Sequence, residues 1–386
     1  MKRFLDFWLR WRAVMVTLLT FLVLWIMKTF FTMNFGFYNP IPKIMEDFSM
    51  TDIYYQIGQK EPEPNHYITI VDMTDLVRRG DIAHALEMVM ACEPAVVGVD
   101  MVFQGERTDS AGNEAIKRVA ATYDNIVWSV EATNPTPDGD HTYARRSFFI
   151  EETGATEGAC NMQASQYSRM KRKLVKAWSL NGKLIPSIIC SVVNMYAGEE
   201  VQKVEDTDLA INFVPTKFTV IPWREVEANA DLLADRIVLF GAMHEDSDMH
   251  NTPLGKIAGL ELLAYGVQTL INGNEVKDVG FYKLLFYSFL IVLVTYVLRS
   301  KRKGWIDRRR NPLSRLLLGF PVVNSFISFI WVALLMGGAY FIFSTRDVSF
   351  NLGYALAGIA FLSTAESSYN IIRDYLKEKV NEKDNS

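Results

Sequence analysis

Residues 67–103 read YITIVDMTDLVRRGDIAHALEMVMACEPAVVGVDMVF, and two apolar runs there flank a helical pattern. The first run, 67–73, follows the turn-forming Glu61-Pro62-Glu63-Pro64-Asn65. Asp81 stands where a helix cap would, and Ile82, Ala85, Leu86 and Val89 then recur at helical spacing. The second run, 96–103, is again rich in Val. Neither run alternates polar with apolar residues. Both are apolar on two faces, as parallel strands covered by helices are. Parallel neighbours need a crossover, and such crossovers are almost always right-handed.

The same alternation continues outward. The spacing predicts a helix at 113–123, a strand at 126–131, a helix at 186–196 with Pro186 at its start, and a strand at 209–214. A buried strand, IVLFG, follows at 237–241, and a helix at 259–271 stops at Asn272-Gly273. Together these predict one α/β domain, doubly wound around a mainly parallel sheet, within residues 34–280. Residues 134–179, with Arg169, Lys171, Arg172, Lys173 and Lys176, fit no element.

Charge divides the chain. The 386 residues carry 40 Lys+Arg and 44 Asp+Glu, a net charge of -4. Residues 34–280 hold 21 basic and 36 acidic side chains, whereas the remainder holds 19 basic and 8 acidic. Basic flanks are retained on the cytoplasmic side of a membrane, while large domains cross largely regardless of charge. The acidic domain offers no surface for nucleic acid.

Four apolar runs approach the ~20 residues needed to span a bilayer: 9–31, 281–298, 316–343 and 350–365. Residues 1–12 contain Lys2, Arg3, Arg10 and Arg12, and the loop 299–315 has eight basic residues against Asp307. Both are therefore expected inside, with the tail 366–386, and the domain 34–280 outside. This predicts a multi-pass protein of a bacterial inner membrane with a periplasmic or extracellular domain. The alternative for the first run is a cleaved signal peptide, against which stand its length and the lack of an Ala-x-Ala site. In the fourth run Gly353, Ala355, Ala357 and Gly358 allow close packing, within the chain or between the copies of a homodimer.

In a parallel sheet, ligands bind beyond the carboxyl ends of the strands. The first two strands end near Asp72 and Asp100, and after the strand 237–241 come His244, Glu245, Asp246, Asp248 and His250. Asp72, Asp100, His244, Asp246, Asp248 and His250 are the candidate ligand-binding residues. Asp72, Asp100, Asp248 and His250 have the donor chemistry for a divalent cation such as zinc or manganese. The competing reading is structural, because Asp at a strand end commonly caps a helix or fixes a loop.

Several strings resemble a known family: Ile68 to Asp72, Gly98-Val99-Asp100-Met101-Val102-Phe103, Ile237 to Gly241, Asp248-Met249-His250-Asn251-Thr252-Pro253, and Gly259-Leu260-Glu261. In order and spacing they are similar to the second type of CHASE domain, an extracellular sensory module associated with cyclases and histidine kinases. The resemblance spans about residues 66–275. It implies a sensor that passes ligand state through membrane helices. The family's Trp- and Pro-rich loop after the first strand is replaced here by Thr74-Asp75-Leu76-Val77-Arg78-Arg79-Gly80. Its Gly-x-x-Asn element survives as Gly158-Ala159-Cys160-Asn161, but the following Asp-x-Asp-Gly-x-x-Arg does not.

Residues 366–386 are too few for a cyclase or kinase domain. A separate protein partner is therefore expected to read the loop 299–315 or the amphipathic stretch 369–380, unless the basic loop serves only as an anchor on anionic lipid. The alternatives are a metal-dependent periplasmic hydrolase and a non-sensing membrane scaffold. Hydrolysis would use a metal at the acidic edge with Glu245 or His244 as proton acceptor, yet no Gly-x-Ser-x-Gly elbow or phosphate loop is present. No charge lies midway along a span, which disfavours transport. Of the three cysteines, Cys92 and Cys190 fall on helices, and Cys160 is the expected exposed one.

Overall fold

A computed structural model describes residues 9–32, 50–57, 61–133, 141–162 and 169–384. The chain forms two compact units, residues 51–276 and residues 1–50 with 277–386.

In the first unit the main sheet has the order β10-β1-β11-β2-β3-β4, with β5 also paired to β3. Its strands are β1 (Glu63–Asp72), β2 (Val96–Val99), β3 (Ile126–Ala132), β4 (Tyr143–Arg145), β5 (Thr156–Ala159), β10 (Thr216–Pro222) and β11 (Ile237–Gly241). Only β4 runs antiparallel. Val71, Val97, Val99, Trp128, Val238 and Phe240 share a core with Ile82, Ala85, Leu86 and Val89 of α3 (Arg79–Ala91) and with Ile116 and Val119 of α4 (Ser110–Thr122). Helices α6 (Ile188–Ala197) and α7 (Gly259–Asn272) pack on the sheet with each other, so the sheet is wound on two faces. Trp128 is fully buried, edge-on to Phe149 at 4.8 Å between centroids.

Several boundaries differ from the sequence reading. The second strand stops at Val99 rather than 103, because beyond it Phe103 N turns aside to donate to Ser147 Oγ at 3.0 Å. The N-cap of α3 is Arg78, and Asp81 lies inside the first turn. Pro186 ends strand β8 (Lys183–Pro186), and Ser187 caps α6. The strand expected at 209–214 is only β9 (Asp208–Ala210), antiparallel to β6 (Lys173–Val175) and outside the main sheet.

The unplaced stretch supplies β4, β5, β6, the short helix α5 (Ile150–Thr153) and, with β8, the hairpin strand β7 (Ala177–Leu180). Two of its basic residues pair with acids of the same unit. Arg172 grips Asp52 of α2 (Met50–Ile57) through Nε at 2.9 Å and Nη2 at 2.5 Å, and Lys176 reaches Glu275 at 3.0 Å.

Gly158 lets β5 press against α6. A Cβ there would lie 2.6 Å from Ile188 Cα and 2.9 Å from its nitrogen, both backbone atoms that cannot step aside. Gly158→Ala is therefore expected to destabilise this unit by about 1–3 kcal/mol, as overpacking does. A urea midpoint unchanged by the substitution would show that the helix shifts freely.

The second unit contains α1 (Arg12–Thr32), α8 (Phe281–Asp307), α9 (Pro312–Gly319), α10 (Pro321–Arg346) and α11 (Gly353–Asp384). Among the described residues three helices are long and apolar enough to cross a membrane, at 12–29, 281–307 and 321–346. The fourth expected span, 350–365, is not among them. It is the start of a 32-residue helix, α11, whose Gly- and Ala-rich beginning runs into the polar Glu366 and a charged tail. The stretch 299–315 is also not a plain loop: α8 continues through its first half to Asp307. The third run breaks at Phe320, where Pro321 starts a new helix.

Val16, Val292, Tyr296, Ile359, Leu362, Ala365 and Tyr369 form the core shared by α1, α8 and α11. At its end Arg12 Nη2 meets Glu366 Oε1 at 2.7 Å, and the Tyr296 hydroxyl donates to the same oxygen at 3.3 Å. Two short strands, Lys277–Asp278 and Val348–Ser349, pair in parallel beside the starts of α8 and α11.

Candidate functional site

The carboxyl ends of β1, β11, β2, β3 and β5 lie along one edge, and the six candidate residues separate there into groups. Asp72, the last residue of β1, holds loops together. Its Oδ1 accepts from Thr74 N at 3.0 Å, Thr74 Oγ1 at 2.6 Å and Met243 N at 3.2 Å. Thr74 Oγ1 in turn accepts from the backbone of Met243 and His244. His244 is exposed, with Nε2 3.5 Å from Asp72 Oδ2. This is the loop-fixing role open to a strand-end Asp.

Asp100, Asp248 and His250 make the second group. Asp100 follows β2, its backbone N donating to Phe240 O at 2.9 Å. Its Oδ1 accepts from Ser129 of β3 at 3.4 Å. Burial, and after it the neighbouring Asp248 carboxylate, pushes the Asp100 carboxyl up to about 7. Glu131 adds to that rise, while the Ser129 hydroxyl and His250 oppose it. Asp248 is fixed from two sides. His250 Nε2 stands 3.2 Å from its Oδ1, and the carboxylate covers the first residue of α7, where a Cβ on Gly259 would come within 2.4 Å of Oδ2. A carboxylate there also complements the positive end of the helix dipole.

Four further residues complete the surroundings. Glu131 of β3 is held by Arg145 of β4, whose Nε lies 2.6 Å from Oε2. Lys171 donates from Nζ to Met162 O at 2.7 Å, and burial keeps its ammonium below the ordinary value while Asp248 opposes the shift. Cys160 is not the exposed thiol expected. Burial first, and Asp100 next, push it up to about 12, so it stays protonated and unreactive. Asn161, the end of the Gly-x-x-Asn element, accepts from Ala132 N at 2.6 Å and donates to Ala132 O at 2.9 Å, extending the β3–β5 ladder with a side chain.

Asp246 is exposed and stands apart from both groups. Among the described residues no cluster of three or more His, Cys, Asp or Glu could hold a metal ion. The grouping of Asp72, Asp100, Asp248 and His250 around one cation is thus not formed, because Asp72 is engaged by loop donors and Asp248 by His250 and α7. The sequence alone does not mark Ser129, Glu131 or Lys171: Ser129 and Glu131 sit on a strand that reads as core, and Lys171 lies within 134–179, which fits no element by its sequence.

No curated protein and no solved structure matches the chain. The CHASE2 domain model matches residues 15–298, and no effector domain is matched elsewhere. That span takes in the α/β unit and all five strings, from Ile68 to Glu261, so the chain belongs to the CHASE2 family of sensory domains.

Proposed function

We propose that this protein is a membrane-anchored sensor whose α/β unit faces outward and reads a small ligand at Asp100, Asp248 and His250. The observation that carries the reading is the CHASE2 match, which covers a helix fit to span a membrane on each side of the α/β unit. The same edge brings a partly buried carboxyl, a second carboxylate and an imidazole together without a metal cluster. A ligand group that pairs with Asp100 or Asp248 would change how β2 and the start of α7 sit against each other.

The chain passes the membrane four times in this proposal, with α11 as the fourth span. Supporting it, α11 follows α8 along its length: Tyr354 meets Phe281 at 6.1 Å, Gly358 faces Val292, and Glu366 meets Tyr296. The far end of α11 leaves Ile371 and Tyr375 exposed for a separate protein partner. A multi-pass placement in a bacterial inner membrane, with basic segments inside, accords with the charge division.

Labelling of single cysteines tests this. Val77 is 72% exposed, so Val77→Cys is expected to react with a membrane-impermeant maleimide on intact cells, and Lys301→Cys only after permeabilisation. A photo-crosslinker at Tyr375 is expected to trap a cytoplasmic protein, with a yield altered by Asp248→Asn. Labelling of Val77→Cys from the inside alone would overturn the proposal, as would a Tyr375 crosslinker that traps nothing.

A further inference from the structure

Helix α8 keeps one face turned inward along its whole length. Ser288, Val292 and Thr295 are buried on that face, and Ile306 is buried again near the helix end. The positions that continue the same three-and-four spacing between Thr295 and Ile306 are Arg299 and Arg302. Both are half-buried, whereas Lys301 and Lys303 on the other faces, and Arg308, Arg309 and Arg310 past the helix end, are exposed. Two arginines therefore occupy the seam where small or uncharged packing residues stand elsewhere on the helix.

Helix α10 lines the other side of that seam. Trp331 Nε1 donates to Thr295 Oγ1 at 2.9 Å, and two turns away Arg302 Nη2 donates to Asn324 Oδ1. Asn324 is neutral, so the charge on Arg302 is not offset by it. Arg302 Nη1 is a buried nitrogen with no hydrogen-bond partner. Among the described residues no carboxylate forms an ion pair with either arginine, and the acid nearest in sequence, Asp307, is exposed. Two partly desolvated guanidinium groups one turn apart repel each other unless an anion lies between them.

Their height identifies the anion. From Phe281 to Arg299 the helix rises ~27 Å at 1.5 Å per residue, close to the ~30 Å thickness of bilayer hydrocarbon. A spanning α8 that enters at Phe281 thus places both guanidinium groups at the level of lipid phosphates. We propose that Arg299 and Arg302, the latter steadied by Asn324, form a site between α8 and α10 for the phosphate of an anionic phospholipid. Guanidinium forks suit a tetrahedral oxyanion, because each offers paired donors to two oxygens. The site differs from the general attraction of exposed basic residues for an anionic surface, since it is enclosed by a helix seam. It does not depend on what the α/β unit senses.

The same chemistry would accept free phosphate, so the test separates the two sources. The full chain is extracted from membranes containing phosphatidylglycerol and phosphatidylcholine, and retained lipid is counted by native mass spectrometry. The native chain is expected to keep phosphatidylglycerol selectively. Loss of the two charge-assisted contacts in R299Q/R302Q should lower its occupancy by about tenfold or more. K301Q/K303Q removes the same charge from exposed positions and should leave retention unchanged, and R299K/R302K, which keeps charge without the fork, should retain an intermediate amount. Equal losses in K301Q/K303Q and R299Q/R302Q, or equal retention of both lipids by the native chain, would overturn the site. Displacement of the lipid by excess inorganic phosphate would show a soluble anion to be the occupant and overturn the lipid assignment.

Discussion

Asp100→Asn is expected to make the α/β unit more stable at pH 8, by up to about 4 kcal/mol, and to leave its stability at pH 4 nearly unchanged. The size follows from a carboxyl raised from its ordinary 3.8 to about 7 by burial and by Asp248, at about 1.4 kcal/mol for each pH unit. Below pH 3.8 Asp100 is protonated in both the folded and the unfolded chain, so its titration contributes nothing. Between about 4 and 7 the folded chain still holds the proton that the unfolded chain has released, and stability falls as pH rises. Above 7 the carboxylate is charged in both states, and the loss is complete. Asn has the same shape and never ionises, so it lacks that slope.

Urea unfolding of the detergent-solubilised chain between pH 4 and 9 measures the difference. A native and a variant curve that run parallel across that range would show that Asp100 is ionised normally and that the edge is more open to water than its surroundings indicate. The same titration bears on the sensor reading. The charged carboxylate weakens the fold, and a cationic group bound beside Asp100 and Asp248 would offset the loss. Functional sites are where such perturbed groups concentrate.

The fold is legible in the sequence wherever the signal is local. Strands β2 and β11 and the second half of β1 are buried on both faces, so they are mainly apolar and their place in a parallel sheet is legible in 67–73, 96–103 and 237–241, although β2 itself ends at Val99. Strand β10 escaped because it lies at the sheet edge. Lys217, Val220 and Pro222 are exposed and only Phe218 and Ile221 are buried, a pattern that fits neither a covered strand nor a strict alternation. At the site, Asp100, Asp248 and His250 were identified from strand ends, and the structure brings them together. Their neighbours Ser129 and Glu131 reach the edge only because β3 extends past β2, a matter of relative strand length that no short window of residues encodes. Lys171 arrives through the backbone bond of its N to Asn251 O, a contact 80 positions away along the chain.

Arg79→Ala is expected to destabilise the α/β unit by about 2–4 kcal/mol, and Arg79→Met by less than about 1 kcal/mol. Arg79 is the first residue of α3 and only 3% exposed. Its guanidinium lies 5.0 Å from the Phe148 ring centre and 5.8 Å from that of Phe103. Nη1 donates to Asn113 Oδ1 in α4, Nη2 donates to Gln104 O at 3.3 Å, and the buried Nε has no partner. Electrostatics work against the residue. Burial and the nearby Arg107 push its pKa down, and a cation at a helix N-terminus opposes the dipole. Its contribution therefore comes mainly from filling the space between two aromatic rings and joining α3 to α4. Ala empties that space, whereas Met fills it, removes the unfavourable charge and leaves Asn113 Oδ1 still bonded to Arg107 N at 3.2 Å. Thermal or urea unfolding of the two variants separates volume from charge. A Met variant as unstable as the Ala variant would show that the polar contacts, not the packing, hold the two helix starts together.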